Sequence, residues 1–327
     1  MQLSLPGSID EWEDPVQLQP PGNYWHVIVR VIDGLCVSYM AGTDIFLVRS
    51  VDEQGLSWSD PVRLNGEYLA TRRPNSFDLQ EVAAQPMLAF FGSEPSDTNN
   101  CRMYISVTDD GETWAVKEPL LPLSLSYFYL LVDSVHLTEY EGMPGILYNA
   151  DGQTVWMEPE DQQLLNWTFE QVDYETDYSE IAQHQPGFSQ GEAPLAAAKV
   201  SIDPWNSPLV MMMPDDQAPG GWQLLEIPLD YEVVTSIHPH SMILVDEAPI
   251  VALWSADHEP DYTYHQSRIS LAQASDSSMS NWTRTVFCGD DSFQTIKLAQ
   301  LDGELVAFCG RSLDGFTLNW FALSPGG

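Results

Sequence analysis

The sequence predicts an all-β fold, a six-bladed β-propeller of four-stranded blades whose ring is closed by the N-terminal strand. Three observations lead there. A unit of roughly 50 residues recurs along the chain. A Trp motif that ends the first unit also stands, orphaned, at the N-terminus. The last unit runs out of chain one strand short.

The recurring unit is read strand by strand. Four segments pair a Pro with an apolar run, at 86–91, 144–148, 208–213 and 249–254. Gly34–Met40 and Gly303–Cys309 keep the run without the Pro. Pro cannot donate to a sheet ladder, so it marks the start of a strand rather than its middle. Turn pairs such as Asp33-Gly34, Glu141-Gly142 and Asp302-Gly303 precede several runs and suit tight hairpins. Third strands are predicted at 45–50, 102–107, 154–158, 222–227, 268–274 and 316–323. Fourth strands are predicted near Trp58, Trp114, Trp167, Tyr231 and Trp282. The sixth unit lacks a fourth strand. Trp12-Glu13-Asp14-Pro15-Val16-Gln17-Leu18 matches Trp58-Ser59-Asp60-Pro61-Val62-Arg63-Leu64 at Trp, Asp, Pro, Val and Leu, and supplies it. The single domain over 1–327 thus divides into blades at about 24–64, 78–122, 129–172, 193–234, 240–286 and 292–323, the last completed by 11–19.

Composition narrows the function. The 327 residues are 44% hydrophobic, with 11 Trp, 13 Tyr and 12 Phe, enough for a large core. No apolar run approaches the ~20 residues of a membrane helix, which argues against membrane insertion. The charge is −36, from 48 acidic and 12 basic residues. Such a field repels nucleic acid and anionic membranes and favours cations, basic proteins or a salty medium. Cys36, Cys101, Cys288 and Cys309 show no metal spacing; Cys36 and Cys309 read as buried thiols. The first residues carry no basic n-region and no long h-region, so a cytoplasmic location is expected. Asn166-Trp167-Thr168 and Asn281-Trp282-Thr283 are sequons at equivalent repeat positions and read as packing motifs.

The turns between third and fourth strands carry a motif. Asp109-Asp110-Gly111-Glu112-Thr113-Trp114 fits D-x-G-x-T-W, Ser50–Trp58 fits it with one inserted residue, and Ser275-Asp276 before Trp282 is a degenerate copy. An Asp there accepts backbone N–H groups, Gly takes positive φ, and Trp packs between sheets. On these residues the chain resembles the Asp-box (BNR-repeat) propellers of the sialidase-like superfamily. The resemblance implies a fold, because Asp-boxes in that family lie on the blade periphery, away from the active site. It also implies what sialidase chemistry would require. Family sialidases use three arginines from different blades, a Tyr–Glu nucleophile and an Asp acid/base, the first arginine in a Y/F-R-I-P motif. Here that stretch is Tyr24-Trp25-His26-Val27, without Arg, and the triad is expected to be lost.

Other constellations remain. A neutral-sugar glycosidase needs two carboxylates about 5–10 Å apart, and Asp78, Glu81 and Glu192 are the first candidates, with Asp133, Glu180 and Asp246 also on loops facing the pore. Arg72 and Arg73 sit where a linker enters the central face. Loop 173–192, with Tyr178 and His184, and the Tyr127-Phe128-Tyr129 run suit sugar stacking or protein contact. His238, His240, His258 and His265, near Asp257, Glu259 and Asp261, are the candidate metal ligands, and the acidic loops would take calcium or another divalent ion. No cofactor is otherwise expected. Ligand binding is assigned to Arg72, Arg73, Tyr127, Tyr129, Tyr178, His184 and His240. Two readings stand: a non-catalytic binding or scaffold propeller recognising a protein or carbohydrate, and a glycoside hydrolase acting on a neutral sugar.

Overall fold

A computed structural model of the protein describes residues 16–18, 27–32, 34–52, 57–71, 76–98, 101–119, 132–140, 142–150, 153–172, 180–187, 195–201, 208–215, 221–228, 234–245, 248–258, 264–288, 293–301, 304–311 and 317–322. These residues form strands arranged in six antiparallel sheets.

A short N-terminal strand, β1 (Val16–Leu18), comes first. The first sheet is β2 (Val27–Val31), β3 (Leu35–Ala41), β4 (Asp44–Arg49) and β5 (Val62–Arg63). The second holds β6 (Leu69–Ala70), β7 (Phe77–Val82), β8 (Gln85–Ser93), β9 (Arg102–Val107) and β10 (Ala115–Lys117). The third is β11 (Val132–Tyr140), β12 (Met143–Ala150), β13 (Gln153–Pro159) and β14 (Trp167–Gln171). The fourth is β15 (Glu180–Gly187), β16 (Leu195–Ser201), β17 (Leu209–Pro214) and β18 (Trp222–Glu226). The fifth is β19 (Val234–Val245), β20 (Ala248–His258), β21 (Tyr264–Ala274) and β22 (Trp282–Cys288). The sixth is β23 (Phe293–Leu301), β24 (Glu304–Arg311) and β25 (Thr317–Ala322), with β1 as its fourth strand. The register sets Val16 opposite Trp320 and Leu18 opposite Leu318, so the N-terminal strand pairs where the sequence expects it. Trp12 lies outside the described residues.

The fold is an all-β propeller. Strand side chains alternate between faces, and both faces are apolar. On β8, Leu88 and Phe90 pack with Leu47 of the first sheet. Met87 and Phe91 pack with Val135 and Tyr148 of the third. Three further seams repeat the arrangement: Trp156 against Met212, Met211 against Leu253, Ile250 against Leu305. The first strands β2, β7, β11, β15, β19 and β23 touch one another in sequence, and β23 returns to β2.

The fourth unit corrects the sequence reading. Strand β15 lies inside the segment read as a long loop, Leu209–Pro214 is the third strand rather than the second, and Trp222 opens the fourth strand rather than the third. Pro marks a strand's start but not its rank. Elsewhere it precedes or opens second strands, and at Pro208 it precedes a third.

Tight turns join the third and fourth strands. Asp110 Oδ1 accepts the Thr113 and Glu112 backbone N–H groups at 2.7 and 2.9 Å, while Gly111 adopts φ 75°. The sequence placed this role on the first Asp of the motif, but Asp109 instead accepts Gln85 Nε2 at 2.8 Å. These backbone bonds hold the Asp110 carboxyl down at about 2. The turns before Trp167 and Trp282 are a different pair. Leu164 and Met279 adopt positive φ, and each indole N–H donates at 2.9 Å to that residue's carbonyl. The half-buried Trp58 and Trp114 have no hydrogen-bond partner for the indole N–H among the described residues. Trp114, Trp167, Trp222 and Trp282 all pack into the seam toward the preceding sheet.

Three outcomes are expected. Gly145 lies under the Trp156 ring, and a Cβ there would collide with it. Gly145→Ala should therefore cost about 3 kcal/mol in urea unfolding. The β7–β8 turn places Ala83 and Ala84 at φ 50° and 60°, a type I′ shape that favours Asn-Gly. The double change Ala83→Asn, Ala84→Gly should raise stability by about 1 kcal/mol. Because the Asp110 pKa is depressed on folding, its contribution is full above the ordinary carboxylate range and disappears as pH falls through about 2. The Thr113 amide resonance should titrate with that midpoint, and a midpoint near 4 would contradict the turn.

Candidate functional site

Asp78 is the carboxylate whose surroundings are best defined, and they make it structural. It is the second residue of β7 and 4% exposed. Its Oδ1 accepts the Leu79 N–H at 2.9 Å, and its Oδ2 accepts the Leu137 N–H of β11 at 3.0 Å. Both oxygens are thus engaged by backbone, one of them across the seam. The same device recurs between the fifth and sixth sheets, where Ser241 Oγ accepts the Leu298 N–H at 3.0 Å. A first strand lies at the inner edge of its sheet, and a polar side chain from the sheet before it covers an edge donor.

Glu81 does not partner Asp78. Three residues apart on one strand, their side chains leave opposite faces, and the strand rise separates them by about 10 Å. Asp78 reaches the third sheet, and Glu81 sits near the β7–β8 hairpin, at the end opposite the linkers. The expectation that both carboxylates face the pore mouth fails on this parity.

The histidines are carried by strands, not loops. His240 lies at the bulge between Pro239 and Ser241 in β19, His238 is opposite Trp254, and His258 is opposite Tyr264. His265 is the second residue of β21. The start of β19, the end of β20 and the start of β21 meet at one end of the fifth sheet, so the topology draws this group together. Among the described residues no group of three or more metal-ligating side chains occurs. His184 is in β15 opposite Ala198, Glu180 is opposite Ser201, and Asp133 is at a bulge in β11. Arg72, Arg73, Tyr127, Tyr129, Tyr178, Glu192 and Asp246 lie outside the described residues, as do Glu259 and Asp261.

The frame around the Arg72–Arg73 linker is defined. The Thr71 N–H donates to the Phe91 carbonyl, the Phe91 N–H to the Ser76 carbonyl, and Ser76 Oγ to the Thr71 carbonyl. The two ends of the four-residue connection 72–75 are therefore clasped on β8. One step earlier, buried Asn65 holds the linker down. Its Oδ1 accepts the Ile45 N–H at 3.0 Å, and its Nδ2 donates to the Thr43 and Tyr68 carbonyls at 3.0 and 2.7 Å.

This anchoring presents a group that the sequence reading missed. Tyr68 lies over Tyr104 with ring centroids 4.4 Å apart, and Phe90 stacks on the other partner at 5.4 Å. Arg102, the first residue of β9, donates to Glu118 at 2.7 Å. Arg102 stands at the end of the sheet where β8 delivers Glu94. Burial raises the Tyr104 hydroxyl pKa most; Glu118 and Glu94 add to this, and Arg102 opposes it. Tyr68 is raised by burial, then by Glu94, Glu118 and Glu67. The one available signal was Asn65-Gly66, which reads as an ordinary turn.

No family model and no curated protein sequence matches the chain. Solved structures do. The α-L-arabinofuranosidase of Fusarium graminearum in complex with arabinobiose aligns at TM-score 0.63 and 14% identity over 96% of this chain and 99% of that one. An α-L-arabinanase of Penicillium chrysogenum complexed with arabinobiose aligns at 0.61 and 14%, over 95% and 98%. The NanB sialidase of Streptococcus pneumoniae aligns at 0.60 and 9%, over 95% and 71%. The fold is thus the β-propeller fold that these structures share. At these identities the likeness concerns fold alone. Among the described residues no helix is long and apolar enough to cross a membrane.

If Asp78 is a seam clasp, Asp78→Ala should cost about 2–3 kcal/mol by leaving the Leu137 N–H unpaired, and Asp78→Asn, which keeps an acceptor, much less. Equal losses by chemical denaturation would contradict the assignment.

Proposed function

We propose that this protein is a six-bladed, Asp-box propeller that binds a protein or carbohydrate partner through the face carrying its inter-blade linkers, without sialidase chemistry. The observation that carries the reading is Asp78. The best-placed acid on an inner strand is sequestered by two backbone donors and has no free oxygen for proton transfer or attack. The closed cycle of six first strands and the β1–β25 pairing support the blade count and the closure of the ring. The Asp110 turn supports the Asp-box. Absence of arginine from Tyr24-Trp25-His26-Val27 supports loss of the sialidase triad. Arg72, Arg73, Tyr127, Tyr129, Tyr178, His184 and His240 remain the ligand-binding candidates, and the His238–His265 group the metal candidate. A cytoplasmic location belongs to the same reading.

A second reading is favoured by a separate observation. The α-L-arabinofuranosidase and the α-L-arabinanase match this chain over nearly the whole of both lengths. A hydrolase acting on a neutral sugar would then draw on Glu192 and a second carboxylate from the linker face.

The test is hydrolysis by pure protein of an aryl glycoside panel that includes α-L-arabinofuranosides and of linear arabinan. The binding reading expects no release above buffer. Release that disappears in Glu192→Ala would overturn it in favour of the hydrolase.

A further inference from the structure

We propose that strand β14, the outer edge of the third sheet, takes up a basic extended segment of a partner protein as an added antiparallel strand. This surface is separate from the linker face, and the proposal stands independently of the reading above. The backbone shows that the edge is open. At the two ends of the β13–β14 ladder, the Glu160 N–H donates to the Asn166 carbonyl and the Val172 N–H to the Thr154 carbonyl. Antiparallel bonding alternates along a strand. Thr168 and Glu170 therefore turn their backbone groups toward β13, and Trp167, Phe169 and Gln171 turn theirs outward. No described strand lies beyond β14, and Thr168, Phe169, Glu170 and Gln171 are all exposed. An extended chain can complete this unfilled ladder.

The other outer strands differ. β1, β5 and β10 have three, two and three residues, too short to template a partner. β18 and β22 are long enough, but the outward residue two beyond the Trp is not available in either. Leu224 is half-buried against the core, and Arg284 turns back to the Ser255 and Ser270 hydroxyls at 3.2 and 3.0 Å. In β14 that residue is Phe169, 42% exposed. Val286 of β22 is also exposed, but it stands beside Arg284 and next to a register shift that blunts the edge.

Charge selects the occupant. Phe169 is opposite Met157, which belongs to the core shared with the second sheet. On the other face of the strand, the Glu170 carboxylate lies beside Gly221 of the fourth sheet, and half-buried Glu158 is opposite Thr168. An incoming residue opposite Phe169 has neighbours opposite Thr168 and Glu170, on that acidic face. The complement is an apolar residue flanked by lysines or arginines. A second copy of the chain brings the same acids and its own charge of −36. Pairing over five residues also falls short of the roughly 1,000 Å² that a stable interface buries.

The experiment is titration of the full chain with the capped heptapeptide Lys-Val-Lys-Val-Lys-Val-Lys at about 0.15 M salt, followed by amide hydrogen exchange. Bound peptide should slow exchange at Phe169 and Gln171 and leave Thr168 and Glu170, already paired with β13, unchanged. N-methylation of the three valines, whose N–H groups would face β14, should weaken binding at least tenfold. The block peptide Val-Val-Val-Lys-Lys-Lys-Lys, of equal charge, should bind at least about fivefold more weakly. Glu170→Gln and Phe169→Ala should each weaken binding of the alternating peptide about threefold. Glu112→Gln, the same charge change at an exposed turn of the second sheet, should change it by less than about 1.5-fold. No binding of the alternating peptide, binding without slowed exchange at Phe169 and Gln171, equal binding of the alternating and block peptides, or equal effects of the two Gln variants would each overturn the proposal. So would self-association of the chain that Phe169→Ala abolishes, because the edge would then belong to a second copy.

Discussion

Each sheet of this protein has two apolar faces, and neither can be left in water. A sheet with one such face is satisfied by a single partner; a sheet with two must be covered on both sides, and so must each of its partners. Leu88 and Phe90 on one face of β8, and Met87 and Phe91 on the other, commit the second sheet to neighbours on both sides. A row of such sheets ends badly wherever it ends, because the outermost face stays exposed. Closing the row removes the ends, which is why the return of β23 to β2 and the seating of β1 on β25 matter to every other element. The inner edges are handled separately, by Asp78 and Ser241 reaching across seams to backbone donors.

Much of this was legible in the sequence because its signals are local. The copied Trp motif placed β1, and the Gly34 and Gly142 hairpins placed the first strands of two units. Legibility failed where one residue type serves more than one role. Pro208 looked like the others and stood one strand later, which hid β15. The motif around Asp109 and Asp110 offered two carboxylates, and only hydrogen-bond geometry tells which one the turn uses. Asp78 was singled out as a catalytic candidate because it opens the second blade on the side read as facing the pore mouth. That position is equally what lets it reach the Leu137 N–H. Its supposed partner Glu81 was excluded by strand parity, a rule available from the outset once β7 was known to be continuous.

The Tyr68–Tyr104 group was invisible for a different reason. Its members come from a linker, the end of β8, the start of β9 and the residue after β10. No spacing in the chain links them, and Asn65, which holds the linker, resembles any Asn-Gly turn. The group is a product of the seam between two sheets, and seams are made by tertiary closure. The contacts that pack the first sheet against the second also bring Tyr68 and Tyr104 together. The acidic charge acts at longer range, raising the local concentration of cations without choosing among them.

The pairing of β1 with β25 is the point on which all of this rests, and removing residues 1–20 tests it directly. The thermal unfolding of the shortened chain should show Tm lower by on the order of 10 °C or more, with β25 amides losing protection from hydrogen exchange. A shortened chain that kept the full-length Tm and protected β25 amides would contradict the account.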